Sequence, residues 1–233
     1  MKYGIGIWTT QERLLPLAEE LWHEGKISFI EAVLIPDGDT LFYPESFRRC
    51  PIPQTAHFPH DFWGVNLADE SQKERNIKLL QDAKVMEPMF EDIMTIHLGT
   101  LPTPEGYDEA FKRATDMVLT YYGKDAVIEN LPKIGFDNKR LFCIGYDPDE
   151  FADLPFRLCL DIDHAGQYAE QEKLMLEPLI QRFLSLKPVH YHGTDVAYKK
   201  FLPKDVSVVI ETARTLHKSL KENEKDLRLW NLI

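Results

Sequence analysis

The chain has 233 residues, of which 44% are hydrophobic, and it carries 27 Lys and Arg residues against 38 Asp and Glu residues. The formal net charge of −11 gives no general attraction to phosphate polymers, although bound divalent ions can reverse the sign locally. No stretch reaches the roughly 18 consecutive apolar residues of a membrane-spanning helix, and the strand-like N-terminus differs from a signal peptide. Three cysteines without a paired motif favour reduced thiols in a cytoplasmic protein.

Short apolar strands alternate with longer amphipathic segments along the chain. The patterns predict strands over 3–8, 28–35, 54–58, 93–98, 126–129, 157–161, 189–192 and 206–211. They predict helices over 10–24, 69–84, 107–122, 165–186 and 212–224, and an irregular segment over 131–156.

This alternation favours a parallel sheet, because parallel neighbours require crossover connections. At this length we predict that residues 1–233 form a single compact (α/β)8 TIM barrel. An open doubly wound sheet is the alternative, but no GxGxxG turn follows the first strand.

Six consecutive predicted strands end in a histidine or a carboxylate. These residues are His57, His97, Glu129, Asp161, His190 and Glu211. The carboxyl ends of all strands of a barrel lie on one rim, where the active sites of this fold are found. We therefore expect these side chains to converge on one pocket.

The sixth strand runs into the segment Asp161-Ile162-Asp163-His164. Asp161 and His164 are predicted to be ligands of one site, separated by a strand-to-helix turn. Asp163 is predicted to be the N-cap of the following helix.

Carboxylates that converge in a partly dry pocket repel one another, and divalent cations offset this repulsion. A mixed set of imidazole and carboxylate ligands suits zinc or manganese. Such ions can lower the pKa of a bound water molecule to about 7, which provides a hydroxide nucleophile at neutral pH. The sequence therefore predicts a metal site at the C-terminal rim.

Several motifs resemble the endonuclease IV family (AP endonuclease family 2) of the xylose-isomerase-like barrel superfamily. HFPHDFWGVNLA, IHLGT, VIENLP, LCLDIDHAG, VHYHG and VVIET occur in the family's order over about residues 50–215. The resemblance implies a TIM barrel with a trinuclear zinc site that hydrolyses the phosphodiester 5′ to an abasic site, a reaction of DNA repair.

The resemblance also implies a ligand set for each ion. His57, His97 and Glu129 would hold the first ion, and Glu129 would bridge to a second ion held by Asp161, His190 and Glu211. His164 would contribute to a third ion.

The third site departs from the family pattern. In the loop HGTDVAYKKFLP, Asp195 is available but Ala197 stands where the family has a histidine, and His192 is a candidate substitute. His192 can equally be an exposed rim histidine. We therefore expect two zinc ions, with three as the alternative count and manganese as the alternative metal.

The function predicted from these residues is a metal-dependent phosphodiesterase. Glu129 and Glu211 would orient or deprotonate the attacking water, and the substrate would be abasic DNA or a small phosphorylated or sugar compound. Phe62 and Trp63 could stack on bases or cover the barrel. No membrane partner is expected.

Two other functions fit parts of the same pattern. A sugar isomerase or epimerase would use one ion with Glu129, Asp161, His190 and Glu211. The additional histidines His57, His97 and His164 exceed that need and favour the hydrolase. A barrel that binds a ligand without catalysis is the remaining alternative.

Overall fold

Eight parallel strands close into a barrel in the computed structural model, which describes residues 1–135, 141–193, 196–210 and 228. The strands are β1 (Lys2–Trp8), β2 (Phe29–Val33), β3 (Gln54–His57), β4 (Met94–Ile96), β5 (Val127–Glu129), β6 (Arg157–Asp161), β7 (His190–Gly193) and β8 (Ser207–Ile210). Spatial order follows chain order, and β8 pairs with β1. The predicted TIM barrel is confirmed, and closure excludes the open sheet.

Helices lie in the connections between the strands. They are α1 (Leu15–His23), α2 (Glu45–Arg49), α3 (Lys73–Met86), α4 (Tyr107–Tyr121), α5 (Pro148–Ala152), α6 (Ile162–Glu172) and α7 (Leu176–Ser185). Among the described residues, no helix is both long and apolar enough to cross a membrane. The predicted helix 212–224 lies outside the described residues.

Two predictions about the connections are wrong. The segment 131–156 is not wholly irregular, because it contains α5 and a strand, Phe142–Cys143, which pairs antiparallel with Thr100–Leu101. The single helix predicted over 165–186 is two helices, because Lys173 adopts the left-handed conformation (φ 57°) and ends α6. A residue whose backbone φ is positive cannot continue a right-handed helix.

The interior of the barrel is filled from alternate positions of each strand, because successive side chains point to opposite faces. On β1 the outward residues Ile5 and Ile7 belong to the hydrophobic core. The inward position Gly4 leaves room for the Phe29 ring of the neighbouring strand. Gly4 lies opposite Phe29 and Gly6 opposite Glu31.

Replacement of Gly4 by alanine should destabilise the fold. A Cβ atom at Gly4 would lie 2.4 Å from the Phe29 ring, and overpacking of this kind costs about 1–3 kcal/mol. At Gly6 the nearest atoms would be 3.9 Å away, so Gly6→Ala is the matched control. We expect urea unfolding to show lower stability only for Gly4→Ala; equal stability of the two variants would contradict this packing.

Candidate metal centre

Glu129, the last residue of β5, is fully buried. Histidine rings from three other parts of the barrel lie against its carboxylate. Its Oε2 lies 3.2 Å from His57 Nε2, 3.1 Å from His97 Nε2 and 3.1 Å from His192 Nδ1. His57 ends β3, His97 follows β4, and His192 lies in β7. Residues that are up to 135 positions apart thus meet at one oxygen.

The other oxygen of Glu129 faces a different group. Glu129 Oε1 lies 3.2 Å from His164 Nδ1, and Asp161 Oδ2 lies 3.6 Å from the same nitrogen. Candidate ligand atoms of Glu129, Asp161 and His164 all lie within 4.8 Å of one another, as do those of His57, His97 and Glu129. Glu129 therefore presents one oxygen to each of two potential ligand sets.

These distances are compatible with a divalent cation held between the ligand atoms. Ligands about 2.0–2.1 Å from a tetrahedral zinc lie roughly 3.3–3.4 Å apart. In addition, His97 Nε2 and Glu129 Oε1 are buried and make no hydrogen bond with the described residues. Buried polar atoms without such bonds are costly, and a bound cation would satisfy both.

Backbone carbonyls fix the orientation of two of the rings. His57 Nδ1 donates to the carbonyl of Phe58 at 2.7 Å, which leaves the lone pair of Nε2 directed at Glu129. His164 Nδ1 lies 3.0 Å from the carbonyl oxygen of Asn130, which places this ring beside Glu129 and Asp161. A second hydrogen bond of this type normally sets the tautomer of a ligating histidine.

The electrostatic balance keeps the carboxylate charged and one key imidazole neutral. Burial opposes ionisation of Glu129, but His97 and His192 outweigh it and hold the pKa of this carboxyl well below its ordinary value. Burial lowers the pKa of His97 to about 4, and Glu129 offsets this only in part. His97 is therefore neutral at pH 7 and has a lone pair available for a cation.

Asp161 is the N-cap of α6 and also a member of the cluster. Its Oδ1 accepts a hydrogen bond from the backbone N–H of His164 at 2.8 Å, and its Oδ2 faces the His164 ring. The prediction that Asp163 caps this helix is wrong, because the helix begins earlier, at Ile162. Asn130 joins the ends of β5 and β6, since its amide bonds both the N–H and the carbonyl of Asp161.

The structure separates the two histidines of β7. His190 Nε2 lies 3.2 Å from Glu31 Oε1 rather than beside Glu129, whereas His192 is fully buried and contacts both Glu31 and Glu129. The interpretation of His192 as an exposed rim residue is therefore wrong. Glu211 and Asp195 lie outside the described residues.

Sequence reasoning missed Glu31, which lies in the middle of β2 and is 1% exposed. The search for polar strand ends could not find it, because hydrophobic residues surround it in the sequence. The available signal was the charge itself: a glutamate in the inward register of an otherwise apolar strand needs a buried partner.

A cavity of about 650 Å³ opens onto the cluster, and His97 and His164 are in its wall. At its mouth His60 Nδ1 donates to Asp61 Oδ1 at 2.9 Å, a pair that the sequence patterns also missed. Phe62 lines the cavity and is 59% exposed. Trp63 instead packs edge-on against Trp8, with ring centroids 4.1 Å apart, as expected of a residue that covers the barrel.

Solved structures resemble this barrel over its whole length. Endonuclease IV from Thermus thermophilus matches with a TM-score of 0.63 and 16% identity, covering 100% of both chains. The TTHB071 protein from the same organism, in a crystal soaked with ZnCl2, matches with a TM-score of 0.56 and 16% identity, covering 100% of this chain and 98% of that chain. The fold is that of an endonuclease IV-like TIM barrel. No protein-family model and no curated protein matches the sequence.

The two roles of Asp161 can be separated by substitution. Asparagine still caps a helix but lacks the carboxylate charge, so Asp161→Asn should retain stability and bind zinc more weakly. Asp161→Ala should bind weakly and also lose about 1 kcal/mol of unfolding free energy, because the cap is lost. Urea unfolding and chelator competition measure the two effects; wild-type zinc affinity in Asp161→Asn would contradict a ligand role.

Glu129→Gln should remove at least half of the bound metal, because both ligand sets depend on this carboxylate. The matched control is Glu150→Gln. Glu150 is a half-buried carboxylate. It accepts a hydrogen bond from Tyr107 and caps α5, and glutamine can fill the same capping role. Elemental analysis of protein purified without chelator measures both; full metal content in Glu129→Gln would be inconsistent with this centre.

Proposed function

We propose that the protein is a divalent-metal-dependent hydrolase that cleaves phosphodiester bonds. The observation that carries this proposal is the position of Glu129, whose two oxygens face two different ligand sets. A carboxylate shared in this way suits two ions, and paired ions suit displacement at phosphorus. A sugar isomerase of the type considered above needs only one.

The proposed metal ligands are those predicted from the sequence, except that His192 replaces His190. His57, His97 and Glu129 would hold one ion, and Glu129 with Asp161 would hold the second. His192 would take the place beside Glu129 that the sequence assigned to His190, while Glu211 and His164 stay proposed members. We propose zinc, with manganese as the alternative, because imidazoles and carboxylates are combined.

The ions, when bound, would neutralise charge on the phosphate and lower the pKa of a water molecule to about 7. The residues of the chain provide the setting for this chemistry. Glu129 and Asp161 fix the site, and Glu129 is also the proposed group that orients the attacking water. The hydrogen-bonded pair His60 and Asp61 lies at the mouth of the cavity, where it can hold a proton close to the leaving group.

For the substrate we propose abasic duplex DNA or a related phosphate ester. The likeness to a Thermus endonuclease IV supports DNA, and the exposed ring of Phe62 at the cavity mouth offers a surface for stacking on a base. With a net charge of −11, the chain as a whole repels phosphate. The attraction must therefore arise locally, at the ions. The cytoplasmic location stays a prediction.

The test is cleavage of a labelled duplex with one abasic site, by protein of measured metal content, with and without EDTA. We expect metal-dependent cleavage and a loss of at least about 100-fold in Glu129→Gln, since each 1.4 kcal/mol of lost charge stabilisation reduces the rate about tenfold. Glu150→Gln serves again as the control, because it removes a carboxylate that lies outside the candidate metal centre.

Two results would contradict this proposal. Cleavage that is insensitive to EDTA and to Glu129→Gln would exclude the metal mechanism. A single ion per chain, together with aldose–ketose interconversion and no cleavage, would assign the barrel to the sugar isomerases instead.

A further inference from the structure

Glu31 lies below the rim, on a strand that contributes no proposed metal ligand. It is 1% exposed, and its Oε1 lies 3.2 Å from Nε2 of both His190 and His192. Both contacts have hydrogen-bond geometry. In the pairing of β1 with β2, Glu31 lies opposite Gly6.

His192 stands between two carboxylates. Its Nε2 faces Glu31, and its Nδ1 lies 3.1 Å from Glu129 Oε2. A neutral imidazole has one N–H and one lone pair. When Nε2 donates to Glu31, the lone pair is on Nδ1, at the edge of the centre that contains Glu129.

Glu31, His190 and His192 also have ligand atoms within 4.8 Å of one another, but His190 argues against an ion at this position. A ligating histidine normally donates its second N–H to a carboxylate, a carbonyl or water. His190 Nδ1 is buried and makes no hydrogen bond in the described part of the chain. This pattern fits a ring that only donates from Nε2 to Glu31.

We propose that Glu31 is a positioning residue, which holds His192 with its proton on Nε2 and directs Nδ1 at the metal position beside Glu129. This assignment rests on the proposed metal centre. It adds a carboxylate–histidine–metal relay that runs from the middle of β2 to the rim. Outer carboxylates of this kind change metal affinity by about 10–100-fold when they are removed.

The first test uses the wild-type protein, labelled with 15N-histidine and loaded with 113Cd. Long-range proton–nitrogen spectra should show cadmium coupled to His192 Nδ1 and a proton on His192 Nε2, with His192→Gln used to assign the ring. Cadmium coupled to His192 Nε2 would overturn the proposal, because Glu31 would then share an ion with this ring rather than accept its proton.

The second test is zinc affinity, measured by competition with a chromophoric chelator. Glu31→Gln, which conserves volume, should bind zinc about 10–100-fold more weakly. The matched control is Thr95→Val, because Thr95 lies in the same buried layer and approaches Glu31 Oε1 at 3.5 Å without contacting a ring nitrogen of His192 in any described hydrogen bond. Its affinity should stay within about twofold of the wild type.

The results distinguish the role of Glu31 from the existence of the metal centre. Wild-type protein that binds metal while Glu31→Gln retains its affinity would overturn the role of Glu31 and leave the centre intact. Wild-type protein that binds no metal would overturn the centre and this assignment with it. If Glu31→Gln fails to fold, the cadmium spectrum of the wild type still decides between the two nitrogens.

Discussion

The burial of carboxylates inside the barrel is the constraint on which the site depends. Glu31, Glu129 and Asp161 are each at most 1% exposed. An unpaired charge in such a place costs several kcal/mol, so each carboxylate needs compensation. Two imidazole nitrogens lie 3.2 Å from Glu31 Oε1, and Asp161 accepts a hydrogen bond from the backbone N–H of His164 in the first turn of α6. Glu129 faces four histidine rings. Nitrogens of these rings could bind a cation together with the carboxylate.

The strand register of the barrel determines which histidine of β7 lies at the rim and which lies deeper in the barrel. In the pairing of β6 with β7, Asp161 lies opposite His192, whereas Cys159 lies opposite His190. Two residues of separation keep the side chains on one face but move them about 7 Å along the strand. His192 therefore reaches Glu129, and His190 reaches Glu31. The same offset places Cys159 below Asp161, and the thiol lies within 4.8 Å of Glu129 and His192 ligand atoms.

Most of the fold could be predicted from the sequence, because each barrel strand is a short apolar run between turn or helix signals. The order of the eight strands and the closure of the sheet follow from that alternation. The break between α6 and α7 could not be predicted, since apolar periodicity continues across Lys173 and a left-handed lysine has no sequence signature of its own. The short strand Phe142–Cys143 was missed for a related reason: a two-residue pair is too short to show a period.

The sequence predicts which site residues lie at strand ends, but it does not predict how deep in the barrel each of them lies. Sequence placed His57, His97, Glu129, Asp161 and His164 at the ends of neighbouring strands, and the structure brings them together. It could not rank His190 against His192, because both lie on the same face of β7 and only the register with β6 distinguishes them. A search for polar strand ends could not find Glu31, because Glu31 lies in the middle of β2.

Anomalous diffraction at the zinc edge, from crystals grown without chelator, can show whether ions bind on both sides of Glu129. We expect two peaks, each about 2.0–2.2 Å from a different oxygen of Glu129, one close to His57 and His97 and the other on the Asp161 side. A map with no peak within ligand distance of Glu129, or with a single peak beside Glu31 and His190, would contradict this expectation.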